Sequence, residues 1–481
     1  MWRPRSGASG SVRPSPAAAL LVVAFAVGYV GQGGYYPAVQ RMLVVLLTGA
    51  AMAAWGRHRS SRSCLPVRRM WWAAAAVAVW AVVSASVNGV PASAIGTVGL
   101  VAGLIVVCSV VRSLTVDERE LFVVALLSLG CVVALTGWFG VLSHINLELW
   151  VADIGVRRAS TSITYPSAAA GLLGMLALIA IARAAHRTTV GAHAAVCVLL
   201  VGLTATCSRV GMLAFAIGIV VLLALLGPRD LLLAAMPGAL GAGVALAGAA
   251  PSFVFAAPTS VTHAVLVLGA GLGLTAVLRR RSPTFISFAS AVGLGLAAWA
   301  VWRGALGVLV DTERWSLVSP LRGSAQPAAI DVGLHHPLFG AGPGHAILRW
   351  RDPGGAMDGT RYAHNEYAQA FAETGAVGLV LIVGLIAVTF LALRDTRSAS
   401  SLGPHASLRA GAMAALIAFG VHSTGDFPWR IPVLPLTLAA LVGLALPTIS
   451  NTSRNNSESK GGKRWMTSSP ILTTSRMAGP R

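Results

Sequence analysis

The sequence predicts an all-α, polytopic integral membrane protein of about 14 transmembrane helices with one large extracytoplasmic loop. Three observations predict it. Of 481 residues, 56% are hydrophobic and only 11% charged, with a mean hydropathy of +0.74, which leaves too little polar surface to cover a water-facing globule. The apolar residues are segmented into runs of near-membrane length. The arginines recur in alternate connections, as the positive-inside rule requires of a chain that crosses repeatedly. The net charge of +20 is therefore sorted by membrane side, and no nucleic-acid partner is expected. The cysteines, Cys64, Cys108, Cys131, Cys197 and Cys207, form no CxxC pair, so neither a disulfide nor a bound metal is expected.

Residues 1–16 read as a cytoplasmic N-terminus, with Arg3, Arg5 and Arg13 ahead of the apolar stretch from Ala17 to Val30. Charge and run match a signal peptide, but no small-x-small cleavage site precedes Gly31, so the first run reads as a retained span. Membrane helices 1–11 occupy 17–302, at 17–32, 39–55, 71–87, 93–111, 121–141, 167–182, 192–206, 211–226, 231–250, 262–278 and 285–302. An extracytoplasmic catalytic loop spans 303–374, and helices 12–14 occupy 375–447, at 375–393, 408–421 and 432–447. The tail, 448–481, is rich in Ser, Asn, Gly and Lys and reads as disordered and cytoplasmic.

With the N-terminus inside the cytoplasmic membrane, the inner connections hold Arg57 to Arg69, Arg112 with Arg119, Arg183 with Arg187, Arg229, Arg279 to Arg281, and Arg394 with Arg397. Every inner loop is basic. Outside fall 142–166, the turn Cys207-Ser208-Arg209, the loop 303–374 and 422–431. Arginine in the long outer loop (Arg303, Arg314, Arg322, Arg349, Arg351, Arg361) runs against that rule, and acidic residues accompany it. Either it is a partly paired, solvated loop, or it offers a basic surface to an anionic substrate such as a lipid-linked diphosphate. Trp138, Trp150, Trp315 and Trp429 sit at outer boundaries as interfacial anchors do.

The most informative stretch runs from His335-His-Pro-Leu-Phe-Gly-Ala-Gly-Pro-Gly-His345 to Tyr362-Ala-His-Asn-Glu-Tyr and on to Gly378. Residues 364–374 read as a short amphipathic helix with His364, Tyr367, Ala368 and Phe371 on one face, stopped by Gly375. His364 then lies near a helix N-terminus, where the dipole favours neutral imidazole and bound anions. The glycines of 340–344 offer a turn whose backbone can approach a ligand. His335 and His336 read as loop residues.

These residues resemble the O-antigen ligase and O-antigen polymerase superfamily. His364-Asn365, Gly375 and Gly378 fit its signature of His, a small polar residue, nine residues, Gly, and a second small residue three further on. Thr206-Cys-Ser-Arg209 is similar to its Thr-x-Ser-Arg turn. Arg322, Ala328-Ala329 and His336-Pro-Leu-Phe-Gly-Ala-Gly342 are similar to its loop series, and His422-Ser423, Asp426 and Arg430-Ile-Pro432 to its later elements. The chain departs from the pattern after Arg158, where Tyr165-Pro-Ser167 replaces Asn-Pro-Asn, and at His345, where Asn is usual.

The resemblance implies transfer of a glycan from undecaprenyl diphosphate to an acceptor hydroxyl at the outer face of the membrane, with no cofactor and no metal. His364 is the expected base, and Arg209 and Arg322 the diphosphate ligands, where fixed guanidinium groups stabilise developing charge. Asn365, Gly375, Arg158, His422 and Asp426 are expected to support them, although a structural link between two helix ends suits His422 and Asp426 equally. The expected partners are the lipid-linked glycan, a glycan, wall or protein acceptor, and membrane lipids. Ligation, repeat-unit polymerisation and protein glycan transfer share the signature. From another class, a glycan transporter or flippase also shows many spans with buried charge, but places it at the midplane and in related halves, which are not seen here.

Overall fold

The structure, a computed structural model, describes residues 14–58, 65–143, 150–151, 157–254, 259–302, 320–351, 354–395 and 404–447. Each apolar run of the sequence lies in a helix: α1 (Pro16–Val30), α2 (Pro37–His58), α3 (Leu65–Val87), α4 (Ala94–Ser113), α5 (Val116–Ser143), α6 (Pro166–His186), α7 (Val190–Ala205), α8 (Arg209–Leu226), α9 (Pro228–Val254), α10 (Val261–Leu278), α11 (Pro283–Trp302), α13 (Glu366–Asp395), α14 (Pro404–His422) and α15 (Val433–Ala445). Between α11 and α13 come α12 (Pro320–His335) and the strands β3 (Leu348–Arg351) and β4 (Met357–Thr360). A shorter antiparallel pair, β1 (Trp150–Val151) and β2 (Arg157–Arg158), precedes α6. Among the described residues nine helices are long and apolar enough to cross a membrane, and four shorter apolar helices accompany them. The protein is a multi-pass helical membrane protein.

One expectation changes in detail. From residue 320 on the outer segment is not plain loop: α12 and the β3–β4 hairpin, in register from Leu348↔Thr360 to Arg351↔Met357, fold against the start of α13. Gly375 breaks α13 where a stop was expected, with φ 69° and ψ −173°, between its short first half and the apolar stretch that runs on to Asp395. Residues 1–13, 303–319 and 448–481, which belong to the expected N-terminus, outer loop and tail, lie outside the described residues, as do Cys64 and Trp315.

Helix α6 is the centre. In its apolar window 83% is buried, against 22–50% for the other long spans. Its many alanines and glycines let α7, α8 and α14 approach closely, as small residues do where helices associate in lipid.

Contacts sort the connections into two ends. At one end Ser162 Oγ donates to Tyr29 O (2.8 Å), Ala159 N to Ala205 O (2.9 Å), Thr259 N to Leu142 O (2.9 Å) and Glu366 N to Ser423 O (2.8 Å). At the other, Ser15 N donates to Glu118 Oε1 (3.1 Å), Arg183 Nη1 pairs with Glu120 Oε2 (2.6 Å), and Arg119 Nη1 donates to Leu446 O (2.8 Å). Such sorting by parity is what successive crossings produce. The second end carries the arginines read as cytoplasmic. The first carries Gln32, Thr161, Thr164, Cys207 and His364, the non-glycine residues with positive φ among those described. Left-handed backbone at such residues is strained, and its concentration at one end points to a functional face.

A candidate active site at the joined helix ends

His364 stands just before α13, with φ 49°. Asn365 follows as the helix cap, its Oδ1 accepting from Tyr367 N (3.0 Å) and Ala368 N (3.1 Å). The signature asparagine is therefore a fixing point for the turn that presents His364. Asn365→Ala is expected to lower stability by about 0.5–2 kcal/mol, the usual effect of losing such a cap, read as a fall in the thermal midpoint of the purified protein.

The imidazole, 15% exposed, sets Nδ1 3.4 Å from Oδ1 of the buried Asp426. Its ring lies 5.0 Å from that of Phe427, tilted by 58°. Asp426 also accepts Tyr165 Oη on both oxygens (2.8 and 3.0 Å) and its neighbour Phe427 N (3.0 Å). Donation from His364 Nδ1–H to this carboxylate leaves Nε2 with the lone pair, the tautomer a base requires.

From Asp426 a polar chain runs inward. His422 Nε2 lies 4.0 Å from Asp426 Oδ2 and 3.4 Å from Ser167 Oγ, and Ser208 Oγ donates to Ser167 Oγ at 3.3 Å. Ser208 caps α8 by accepting Gly211 N (3.3 Å), so Arg209 is the first residue of a helix of 18 residues, where the helix dipole favours an anion. Beside it, Arg158 Nε donates to Thr206 O at 3.0 Å. The ends of α6, α8, α13 and α14 thus meet through three expected site residues, His364, His422 and Asp426, together with the two serines, and Arg209 follows Ser208 at the start of α8. Arg322 falls in the first turn of α12, and its side chain lies outside the described residues.

The glycine turn packs against the kink of α13. Ala341 N donates to Ala372 O (2.9 Å), Gly342 N to Glu373 O (3.0 Å) and Ala376 N to Pro337 O (2.8 Å). A Cβ on Gly340 would collide with the Glu373–Thr374 backbone, and one on Gly375 with the carbonyl of Leu338. Both have positive φ. Their closeness serves the kink of α13, which Ser84, Asn88 and Trp80 of the α3 end clamp further: Trp80 Nε1 donates to Thr374 O at 2.8 Å, and its ring stacks on Phe339 at 5.3 Å.

A further set was missed in the sequence. Arg430 Nη2 pairs with Glu373 Oε2 at 2.7 Å and its Nε lies 3.9 Å from Glu366 Oε2, while Glu366 Oε1 accepts Trp429 N (3.0 Å). Gln369 joins in, donating to Glu373 Oε1 (2.7 Å) and accepting Ala363 N (2.7 Å). These bonds tie the turn after α14 to the first half of α13 and so hold Asp426 against His364. The available signal was two acidic residues, Glu366 and Glu373, two turns apart in an otherwise apolar helix. Among the described residues no group of three or more His, Cys, Asp and Glu side chains could hold a metal ion.

Comparison with protein-family models matches residues 245–383 to the family described as O-antigen ligase. Comparison with curated proteins gives no match. The matched segment holds α12, the glycine turn, His364-Asn365 and the kink, and its contacts draw in the 422–430 element from outside it, to which Tyr165 and Ser167 bond in turn. Over residues 245–383 the chain is thus similar to the O-antigen ligase family, and that segment holds the pattern of His364-Asn365, Gly375 and Gly378.

Proposed function

We propose that the protein transfers a glycan from a polyprenyl diphosphate, undecaprenyl diphosphate in a bacterium, to an acceptor hydroxyl at the outer face of the cytoplasmic membrane. The observation that carries this reading is His364, held by Asp426 at helix ends that also bring Arg209 to an anion-favouring helix start. Nε2 of His364 takes the acceptor's proton as its oxygen attacks the anomeric carbon. The bond from that carbon to the phosphate oxygen breaks, and its electron pair leaves with the diphosphate. Arg209 and Arg322, with Arg158 beside the Thr206 turn, stabilise the charge that develops there. Direct displacement inverts the anomeric configuration. An apolar cleft lined by Met70, Ile105, Leu385, Trp429 and Val442 among others runs from the site's end of the bundle toward the other and suits a polyprenyl chain.

The test is made in cells, on surface polymer and lipid-linked intermediates of wild type, a deletion, and His364→Ala present at normal level in the membrane. Both mutants are expected to lose polymer and accumulate diphosphate-linked glycan. Long accumulated chains identify a ligase, single repeats a polymerase. Wild-type behaviour of His364→Ala would remove the base from the scheme and favour transport or scaffolding instead.

A further inference from the structure

A row of aromatic rings leads from His364 to the surface. Phe427 is sandwiched between Tyr165 (5.2 Å, 10° between planes) and Tyr362 (4.8 Å, 19°), and the edge of the stack meets His364. Tyr362 Oη lies 3.1 Å from Tyr35 Oη, and Tyr35 abuts Tyr36 edge to face at 5.4 Å. The last two come from the α1–α2 connection, more than 300 residues away in sequence, and are 40% and 54% exposed. That connection is seated against the site: a Cβ on Gly33 would strike Ile431, and one on Gly34 would meet Leu43 and Pro432.

We propose that this row is a sugar-binding shelf, on which the acceptor saccharide stacks so that its hydroxyl reaches His364. The inference rests on the transferase reading above and adds to it the residues that hold the acceptor. Pyranose rings present an apolar C–H face and a polar rim, which matches aromatic faces edged by phenol hydroxyls. Burial, with the hydrogen bond to Tyr35 adding to it, pushes the Tyr362 phenol up to about 12, so this ring stays uncharged at neutral pH. Position selects acceptor over donor. His364 lies between two sets of contacts: Asp426 leads inward to Ser167, Ser208 and the Arg209 helix start, where the diphosphate belongs, and Phe427 leads outward to the tyrosines. Tyrosines at a membrane boundary also serve as headgroup anchors, but there each hydroxyl turns to the interface, whereas Tyr35 and Tyr362 turn theirs to each other.

The experiment uses the full chain in nanodiscs and, as probe, oligosaccharide released by mild acid from the host's own surface polymer. Saturation-transfer NMR with irradiation of aromatic protons reads binding, and transfer kinetics are measured beside it. Tyr35→Ala/Tyr36→Ala is expected to weaken binding and raise KM for the acceptor about 3–10-fold, the worth of one or two ring contacts, with kcat little changed. Tyr35→Phe/Tyr36→Phe keeps the rings and is expected to keep most of the binding. Unchanged binding and KM in the double alanine variant overturn the shelf while leaving the transferase intact. Aromatic-dependent binding in a protein that shows no transfer, or whose transfer survives His364→Ala, overturns the mechanism while leaving the shelf.

Discussion

Replacing His364 by alanine is expected to lower transfer in the purified, membrane-embedded protein by about 10²–10⁴-fold, the usual worth of a positioned general base, with little change in the amount of lipid-linked donor bound. The reason is geometric. His364 is the imidazole that Asp426 orients from a strained turn, at 3.4 Å, whereas His422 is buried beneath it. Asp426→Asn should fall between the variant and wild type, losing about 10–100-fold, because it weakens the partner that selects the tautomer without removing the base. Its effect should appear in kcat rather than in KM, and its pH profile should differ from that of wild type. A purely structural Asp426 would lower folded yield and leave kcat and the pH profile of the surviving protein unaltered. Equal rates for wild type and His364→Ala would end the assignment.

The helices were legible because each satisfies a local requirement. A span needs only an unbroken apolar run, and all the runs named from the sequence lie in helices. The outer segment was not legible in the same way. Its hairpin pairs Leu348-Arg-Trp-Arg351 with Met357-Asp-Gly-Thr360, strands too short and too polar to show a period, and they are set by packing of Leu348, Ala329 and Ala346 against the first half of α13. Gly375 was legible as a stop because a glycine with positive φ usually ends a helix, and the helix is broken there. What spacing could not show is that the Pro337 carbonyl accepts from Ala376 N just beyond the break.

In the site, the motifs named most residues, and the structure supplies the bonds between them. His422 and Asp426 were named as residues that either support the base or link two helix ends, and Asp426 Oδ1 lies 3.4 Å from His364 Nδ1. Tyr165 looked like a departure from a family pattern. It is a donor to Asp426, a role spacing cannot reveal because 261 residues separate the two. Arg430 was quoted only as part of a motif, yet it balances two glutamates brought to it by the fold. Chemistry that depends on one short segment shows in sequence. Chemistry shared by four helix ends shows only after they are packed.

The glycine turn gives the second large effect, and it separates two causes that usually travel together. Gly340 and Gly344 both have positive φ, 68° and 71°, but only at Gly340 would a Cβ meet backbone; at Gly344 nothing lies within 4 Å. Gly344→Ala should therefore cost only the left-handed strain, about 1–2 kcal/mol. Gly340→Ala adds a collision with the Glu373–Thr374 backbone, for which overpacking of about 1–3 kcal/mol is typical, so its total is about 2–5 kcal/mol. Thermal unfolding of the two variants in the same detergent reads the difference. Because Glu373 is the residue that holds Arg430, a shift there also loosens the turn carrying Asp426, so Gly340→Ala should lose transfer out of proportion to the protein that remains folded. If instead the two variants unfold alike and Gly340→Ala transfers normally, the turn is not what braces the kink.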